Sequence, residues 1–304
     1  MMPPNPAARE TTHLEQRIAA LRSRINACLE TLLPGDDQPP SILHRAMRYA
    51  VLSPGKRLRP ILCLLAADLF RNENESLLRP SCSLELLHAY TLVHDDLPCM
   101  DDDDLRRGRP TLHKVFPENI ALLAGDALLT LAFSVIAEQG AEYPDRAIRA
   151  VADLARLTGS TSLIGGQVLD LQSENKTVTP GELESIHRNK TAKLLQASVR
   201  QGAILSGAPE PALESLSCFG MHCGMAFQIS DDLLDETGDA AKMGKNTGQD
   251  RKLKKATYPA LFGLERSREM LASHIESALA SLKPFGARAR PLIELARFLA
   301  DREN

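Results

Sequence analysis

Apolar residues recur at spacings of three and four along almost the whole chain. Leu14, Ile18, Leu21, Ile25, Leu29 and Leu32 form one such stripe, with Arg, Glu and Asn between them, until Pro34-Gly35 ends it. This pattern predicts an amphipathic first helix behind a tail, residues 1–12, whose Pro- and Ala-rich sequence reads as disordered. Ser41 caps a second helix through Val51. Pro60 opens a third, and its run from Ile61 to Phe70 is apolar nearly all round, as in a helix enclosed by others. Further helical runs cover 81–94, 118–139, 144–171, 180–205, 211–235, 256–281 and 291–302. The stretch 120–137 is apolar enough to raise the question of a membrane span, but Asp126 lies near its centre and a core helix of a soluble bundle has the same composition.

No segment alternates with period two. Aromatic residues are only 4% of the chain and Trp is absent, so Ala and Leu carry the apolar content and helix is favoured over sheet. Nothing resembles an interdomain linker, so residues 13–304 are expected to form one all-α domain, a helical bundle around a central cavity.

Charge narrows the function. A net charge of -3 and a pI near 6.3 exclude a general nucleic-acid or anionic-membrane binder, which needs a sustained positive surface. The six cysteines form neither a CxxC pair nor a dense framework, which fits reduced thiols in a cytoplasm. Against this background stand two aspartate clusters in apolar sequence, Asp95, Asp96 and Asp101–Asp104, and Asp231, Asp232 and Asp235. Desolvation and mutual repulsion oppose clustered carboxylates unless a cation joins them, and an all-oxygen donor set suits magnesium completed by substrate phosphate oxygens. Arg106, Arg107 and Arg109 follow the first cluster, and Lys242, Lys245, Lys252, Lys254 and Lys255 follow the second. Acid for metal and base for phosphate is the simplest division.

The second cluster has helical geometry: Asp231 and Asp235 are four apart and Gln228 precedes Asp231 by three, so one face presents three oxygen-bearing groups. In the first cluster, Asp95 and Asp101 would point about 120° apart on an unbroken helix. Pro98 is expected to disrupt that helix after Asp96 and return Asp101 toward Asp95. An acidic run such as Asp101–Asp104 alone would read as a solvated loop. The EF-hand spacing is absent, as is the Walker spacing around Gly55-Lys56-Arg57, where Pro54 precedes Gly55.

The string His94-Asp95-Asp96-Leu97-Pro98-Cys99-Met100-Asp101, continuing through Leu105-Arg106-Arg107-Gly108, resembles the trans-isoprenyl diphosphate synthases, and bacterial farnesyl diphosphate synthases most closely. Gly165-Gly166-Gln167, His187-Arg188-Asn189-Lys190-Thr191 and Phe227-Gln228-Ile229-Ser230-Asp231-Asp232-Leu233-Leu234-Asp235 carry the resemblance onward in the expected order. It implies an isoprenoid synthase-type bundle, a homodimer, and magnesium-dependent condensation of an allylic diphosphate with isopentenyl diphosphate. It also implies that Asp95 and Asp101 bind two of three magnesium ions and Asp231 the third, assisted by Asp235. Arg106, Lys190, Lys245 and Lys255 would hold the allylic diphosphate, and Gly55, Lys56, Arg59, His88 and Arg107 the isopentenyl diphosphate. Thr191 and Gln228 would turn their oxygens toward the developing allylic cation. Tyr90, five residues before Asp95, with Thr91 beside it and Pro98-Cys99 inserted in the motif, resembles the fifteen-carbon type. Pro54 departs from the glycine common in the family at that position.

Several of these residues also have plain readings. His88 alone would be a packed histidine, Gln228 a buried hydrogen-bonding amide, and Gln167 and Asp170 structural or metal-supporting groups. Residues 238–255 are expected to close on diphosphate. A geranylgeranyl or other chain-length synthase, and a noncatalytic subunit of the same fold, are the alternatives; the complete acid and base sets favour catalysis.

Overall fold

The computed structural model describes residues 6–70, 75–174, 176–237 and 256–300, and they are helical nearly throughout, as the periodicity predicts. The chain divides into two compact units, residues 1–64 with 73–151, and residues 65–72 with 152–304. Lys245, Lys255 and the stretch 238–255 lie outside the described residues.

The first unit contains α1 (Pro6–Leu32), α2 (Ser41–Val51), most of α3 (Leu58–Ala67) and α4 (Glu75–Asp95). A short hairpin, β1 (Leu105–Arg106) paired with β2 (Arg109–Pro110), leads into α5 (Leu112–Val115), α6 (Glu118–Ala137) and the first half of α7 (Pro144–Thr158). Helix α4 is the axis, packed by α1, α2 and α6. Ile25 and Leu29 of α1, Val51 of α2, Leu84, Leu86 and Leu87 of α4 and Leu128 and Ile136 of α6 are all fully buried.

Two helix starts differ from expectation by six residues or more, while α3 opens at Leu58, two residues before Pro60. Helix α1 begins at Pro6, within the stretch read as a tail. Proline at a helix start gives up only an amide that would be unpaired there, and Ala7, Ala8, Arg9 and Glu10 are strong helix formers. Helix α4 begins at Glu75 rather than Ser81 and runs through Pro80. Proline leaves the carbonyl four residues back without its amide, and the Gln139 side chain donates to that carbonyl, Ser76 O, at 3.2 Å.

Helix α6 is a core helix on one face only. Ala121, Ala124, Leu128, Ala132, Val135 and Ile136 are buried, whereas Leu122 and Leu123 are 45% and 51% exposed. With its continuation it forms the one stretch among the described residues, Glu118–Ala141, long and apolar enough to cross a membrane. A helix apolar all round gives no periodic sign of which face is buried.

The second unit contains the remainder of α3 and α7, then α8 (Leu163–Ser173), α9 (Pro180–His187), a π-helical turn (Arg188–Ala192), α10 (Lys193–Leu205) and α11 (Glu210–Thr237). It ends with α12 (Tyr258–Phe262), α13 (Leu264–Ser281) and α14 (Arg290–Ala300). Helix α11 is its axis, packed by α10, α12, α13, α14 and the π turn, and Met225, Ile229 and Leu233 meet Leu183, Tyr258, Leu271 and Ile275 in the core. The run expected to be one helix over 144–171 breaks at 159–162, a Gly-Ser-Thr-Ser sequence whose hydroxyls compete with helical hydrogen bonds. The run over 256–281 breaks at Gly263, where φ is +79°. Thr179 opens α9 with a capping box: its hydroxyl accepts from the Glu182 amide at 3.3 Å, and the Glu182 carboxylate accepts from the Thr179 amide at 2.7 Å.

Candidate active site

The first aspartate motif forms where α4 stops. The Asp101 amide donates to the Asp95 carbonyl at 2.9 Å and the Asp102 amide to the Leu97 carbonyl at 3.2 Å, so the chain after Asp95 loops back on itself. Asp101 returns to the helix end that carries Asp95, as the placement of Pro98 predicts. Neighbouring acids take other partners. Arg106 donates through Nε to Asp96 at 2.6 Å and through Nη2 to Asp103 at 2.9 Å, and Asp104 pairs with Lys114 at 2.7 Å. Burial pushes the Asp96 carboxyl up to about 6, against the opposing pull of Arg106.

Beside this loop lies an open cleft lined by Arg57, Arg106, Arg107 and Arg109 with Tyr49, Glu85, His88 and Asp96. Its arginines are held individually. Arg57 donates to Glu85 at 2.6 Å, with both side chains 4% exposed, and also to Asn26 at 2.8 Å and the Ser53 carbonyl at 2.9 Å. Arg107 and Gly108 make the two-residue hairpin turn between β1 and β2, with φ of +54° and +73°, the turn type that matches strand twist. Arg107 then donates to the Pro54 carbonyl at 3.1 Å. A Cβ on Gly55 would lie 2.4 Å from Arg107 Nη1, so glycine there is what admits the guanidinium. Arg109 sits over the Tyr49 ring at 4.4 Å and donates to Ser53 Oγ at 3.2 Å.

His88 is a neutral imidazole in this setting. Burial, and then the charges of Arg59, Arg107, Arg106 and Arg57, push its pKa well below the usual histidine range. Lys56 is exposed, and neither it nor Arg59 lines the cleft. On the same helix, half-buried Tyr90 meets His94 edge-on, with ring centroids 5.0 Å apart at 80°. His94 Nε2 lies 3.0 Å from the Leu122 carbonyl of α6.

In the second unit the π turn places Lys190 and Thr191. Two glycines admit it: a Cβ on Gly166 of α8 would stand 2.3 Å from the Lys190 amide nitrogen, and one on Gly224 of α11 2.4 Å from Ala192 Cα. Lys190 Nζ pairs with Asp170 at 2.5 Å. The Thr191 hydroxyl donates to Gln228 Oε1 at 2.7 Å, and Gln228 Nε2 donates to Asp232 at 2.7 Å. His187 is pushed down to about 4 by burial and is therefore neutral; it stacks on Tyr258 at 5.4 Å. Asp231 is half-buried and Asp235 is 8% exposed on the same face of α11.

No three His, Cys, Asp or Glu groups converge as a metal cage among the described residues. Taken separately, each cluster offers carboxylates of the kind that suit magnesium completed by substrate oxygens and water.

Residues 40–287 match the polyprenyl synthetase family. The chain belongs to that family. It is 45% identical over 268 residues to the chloroplastic geranylgeranyl pyrophosphate synthase of Capsicum annuum, covering 87% of this chain and 73% of that protein. It is 41% identical over 296 residues to the farnesyl diphosphate synthase of Bacillus subtilis (strain 168), covering 97% and 98%. An FPP/GFPP synthase from Zymomonas mobilis, solved in its apo form, superposes with a TM-score of 0.86 at 34% identity, covering 95% of this chain and 99% of that one. The protein is thus a polyprenyl synthetase, and prenyl transfer is its class of reaction.

Within this polyprenyl synthetase the expected residues fall into two local groups. Gly55, His88, Arg106 and Arg107 meet at the first cleft, with Tyr90, Asp95 and Asp101 further along α4 and the loop after it. Lys190, Thr191 and Gln228 meet at the π turn, with Asp231 and Asp235 on α11. Sequence reasoning missed the roles of Arg57 and Glu85, and it named Arg109, Asp170 and Asp232 without the partners that hold them. Glu85 carried a readable signal, since a carboxylate between Leu84 and Leu86-Leu87 on an apolar helix requires a buried cation. Replacing Glu85 by Ala leaves the Arg57 charge buried and is expected to cost about 3–5 kcal/mol in chemical denaturation. A loss below about 1 kcal/mol would mean that Arg57 reaches water or another acid.

Proposed function

We propose that the chain is a magnesium-dependent farnesyl diphosphate synthase, condensing isopentenyl diphosphate with dimethylallyl and then geranyl diphosphate by ionisation, condensation and elimination. The observation that carries the fifteen-carbon reading is Tyr90, whose ring stands five residues before Asp95 and is seated edge-on against His94. A ring little more than one helical turn from the diphosphate-binding end blocks an apolar tail that grows along α4. Relatives named for farnesyl and geranylgeranyl products are similar at 41% and 45%, so overall identity does not separate the two products.

Asp95, Asp101, Asp231 and Asp235 are the magnesium ligands in this reading, and the bound ions supply Lewis-acid stabilisation of the departing diphosphate. Arg106 and Lys190, with Lys245 and Lys255 from outside the described residues, bind the allylic diphosphate as its carbon–oxygen bond breaks. The developing allylic cation meets the oxygens of Thr191 and Gln228, neutral dipoles that stabilise it without capturing it. Isopentenyl diphosphate, which brings no metal of its own, takes the arginine cleft. There Arg107 and Arg109 act beside Arg57, with Gly55, Lys56 and Arg59 at its approach and His88 donating as a neutral imidazole. Its double bond attacks the allylic carbon, and the released diphosphate removes the final proton.

The exposed Leu122 and Leu123 on α6 support a homodimer that covers this face, in a cytoplasmic enzyme. Light scattering that returned the mass of one 33.2 kDa chain would contradict the dimer.

Turnover of labelled isopentenyl diphosphate, with chromatography of the products, tests the function. The wild type is expected to release the fifteen-carbon diphosphate and Tyr90→Ala twenty-carbon or longer chains. Asp231→Ala is expected to lose several kcal/mol of transition-state stabilisation, about 10³-fold in rate, while its thermal midpoint holds or rises. Only fifteen-carbon product from Tyr90→Ala would remove Tyr90 as the floor, and near-normal turnover by Asp231→Ala would refute its metal role.

A further inference from the structure

Asp232 sits between the two residues of its motif assigned to metal, yet it is turned to the interior of its unit. One position on from Asp231 it points about 100° round the helix, and it is 2% exposed. Both of its oxygens accept hydrogen bonds there: Oδ1 from Gln228 Nε2 at 2.7 Å, and Oδ2 from the Tyr258 amide at 3.0 Å, where α12 begins. Gln228 thus has its donor end committed, and its other end, Oε1, accepts from the Thr191 hydroxyl at 2.7 Å. A carboxylate has no proton to give, so an inverted Gln228 amide would set oxygen against oxygen at Asp232 and lose that bond.

We propose that Asp232 is a positioning residue, which fixes the Gln228 amide so that its oxygen faces the reacting allylic carbon, and that it is not a magnesium ligand. The proposal rests on the reading of Thr191 and Gln228 as the groups that meet the developing cation. An amide turned the other way would present its positive end to that cation, so the electrostatic contribution changes sign with orientation. Asp232 reaches the chemistry through Gln228, while the Tyr258 amide bond ties the same carboxylate to α12 and His187 Nε2 lies 3.6 Å from its Oδ2.

Asp232→Asn retains one accepting oxygen. If that oxygen keeps the Tyr258 amide, the new NH₂ group faces Gln228 and forces its amide to invert. The expected result is a fall in kcat on the order of 10²-fold, with the KM for isopentenyl diphosphate and the magnesium concentration for half-maximal activity each unchanged within about twofold. A raised magnesium requirement, with kcat restored at saturating magnesium, would make Asp232 a ligand and overturn the proposal. Adding Asp232→Asn to Gln228→Ala is expected to lower kcat no further, because there is no amide left to orient; additive losses would overturn the proposal while leaving the role of Gln228 intact. Wild-type kcat in Gln228→Ala itself would remove the underlying reading and this inference with it. If Asp232→Asn fails to fold, the exchanged pair Asp232→Asn with Gln228→Glu re-forms the 228–232 hydrogen bond with donor and acceptor swapped, while the Thr191 hydroxyl and the Tyr258 amide donate as before. That pair is expected to be more active than Gln228→Glu alone, in which two carboxylates face each other, and equal or lower activity would refute the coupling.

Discussion

A cation that is to meet a diphosphate has to be in place before the diphosphate arrives, and in a partly buried cleft that placement requires an internal counter-charge. The protein meets this requirement repeatedly. Arg57 is held by Glu85 with both groups almost wholly out of water, Arg106 by Asp96 and Asp103, and Lys190 by Asp170. A buried ion pair contributes little net stability, because desolvation of two ions offsets most of their attraction. Its consequence here is geometric: each cation has a fixed direction, and preorganised charge is what stabilises a leaving group without reorganisation during the reaction. Arg107 and Arg109 are oriented by other means, a hairpin turn with positive φ and the face of Tyr49.

The same economy of charge accounts for the neutral groups. His88 among four arginines gives up its own proton, since a further positive charge there is opposed by burial and by every neighbour. It remains a hydrogen-bond donor in a cleft that already holds enough positive charge. In the second unit Thr191 and Gln228 offer oxygen without a formal charge, and Gln228 takes its orientation from a carboxylate set behind it. Apart from the aspartates proposed to hold metal, an acid in each unit holds a polar group of the proposed site, Asp96 holding Arg106 in the first and Asp232 holding Gln228 in the second.

Most of the fold was legible because periodicity reports burial. Helix α2 was read to its end at Val51, although Pro40 rather than Ser41 holds its cap position, and the loop after Asp95 followed from Pro98. What was not legible has specific causes. The exposed face of α6 was hidden because Leu122 and Leu123 look like the residues buried behind them. The start of α4 was placed after Pro80 because the compensating donor, Gln139, lies far along the chain. The π turn at 188–192 has no period of its own, and only the close approach of Gly166 and Gly224 reveals why it is tolerated. In the site, the aspartates assigned to metal were chosen from the motifs, whereas the bonds of Asp170 to Lys190 and of Asp232 to the Tyr258 amide span 20 and 26 residues and no local spacing encodes them; the four-residue spacing of Gln228 and Asp232 was open to view.

With the proposed function, the arginine cleft is organised for diphosphate before any metal or substrate is present. Calorimetric titration of inorganic diphosphate into the metal-free protein tests it most directly. Saturable binding is expected without magnesium, with a loss of about tenfold or more in Arg107→Ala through removal of a charge-assisted hydrogen bond, and with additional binding once magnesium is supplied. Absence of any binding until magnesium is added, or binding indifferent to Arg107→Ala, would contradict it.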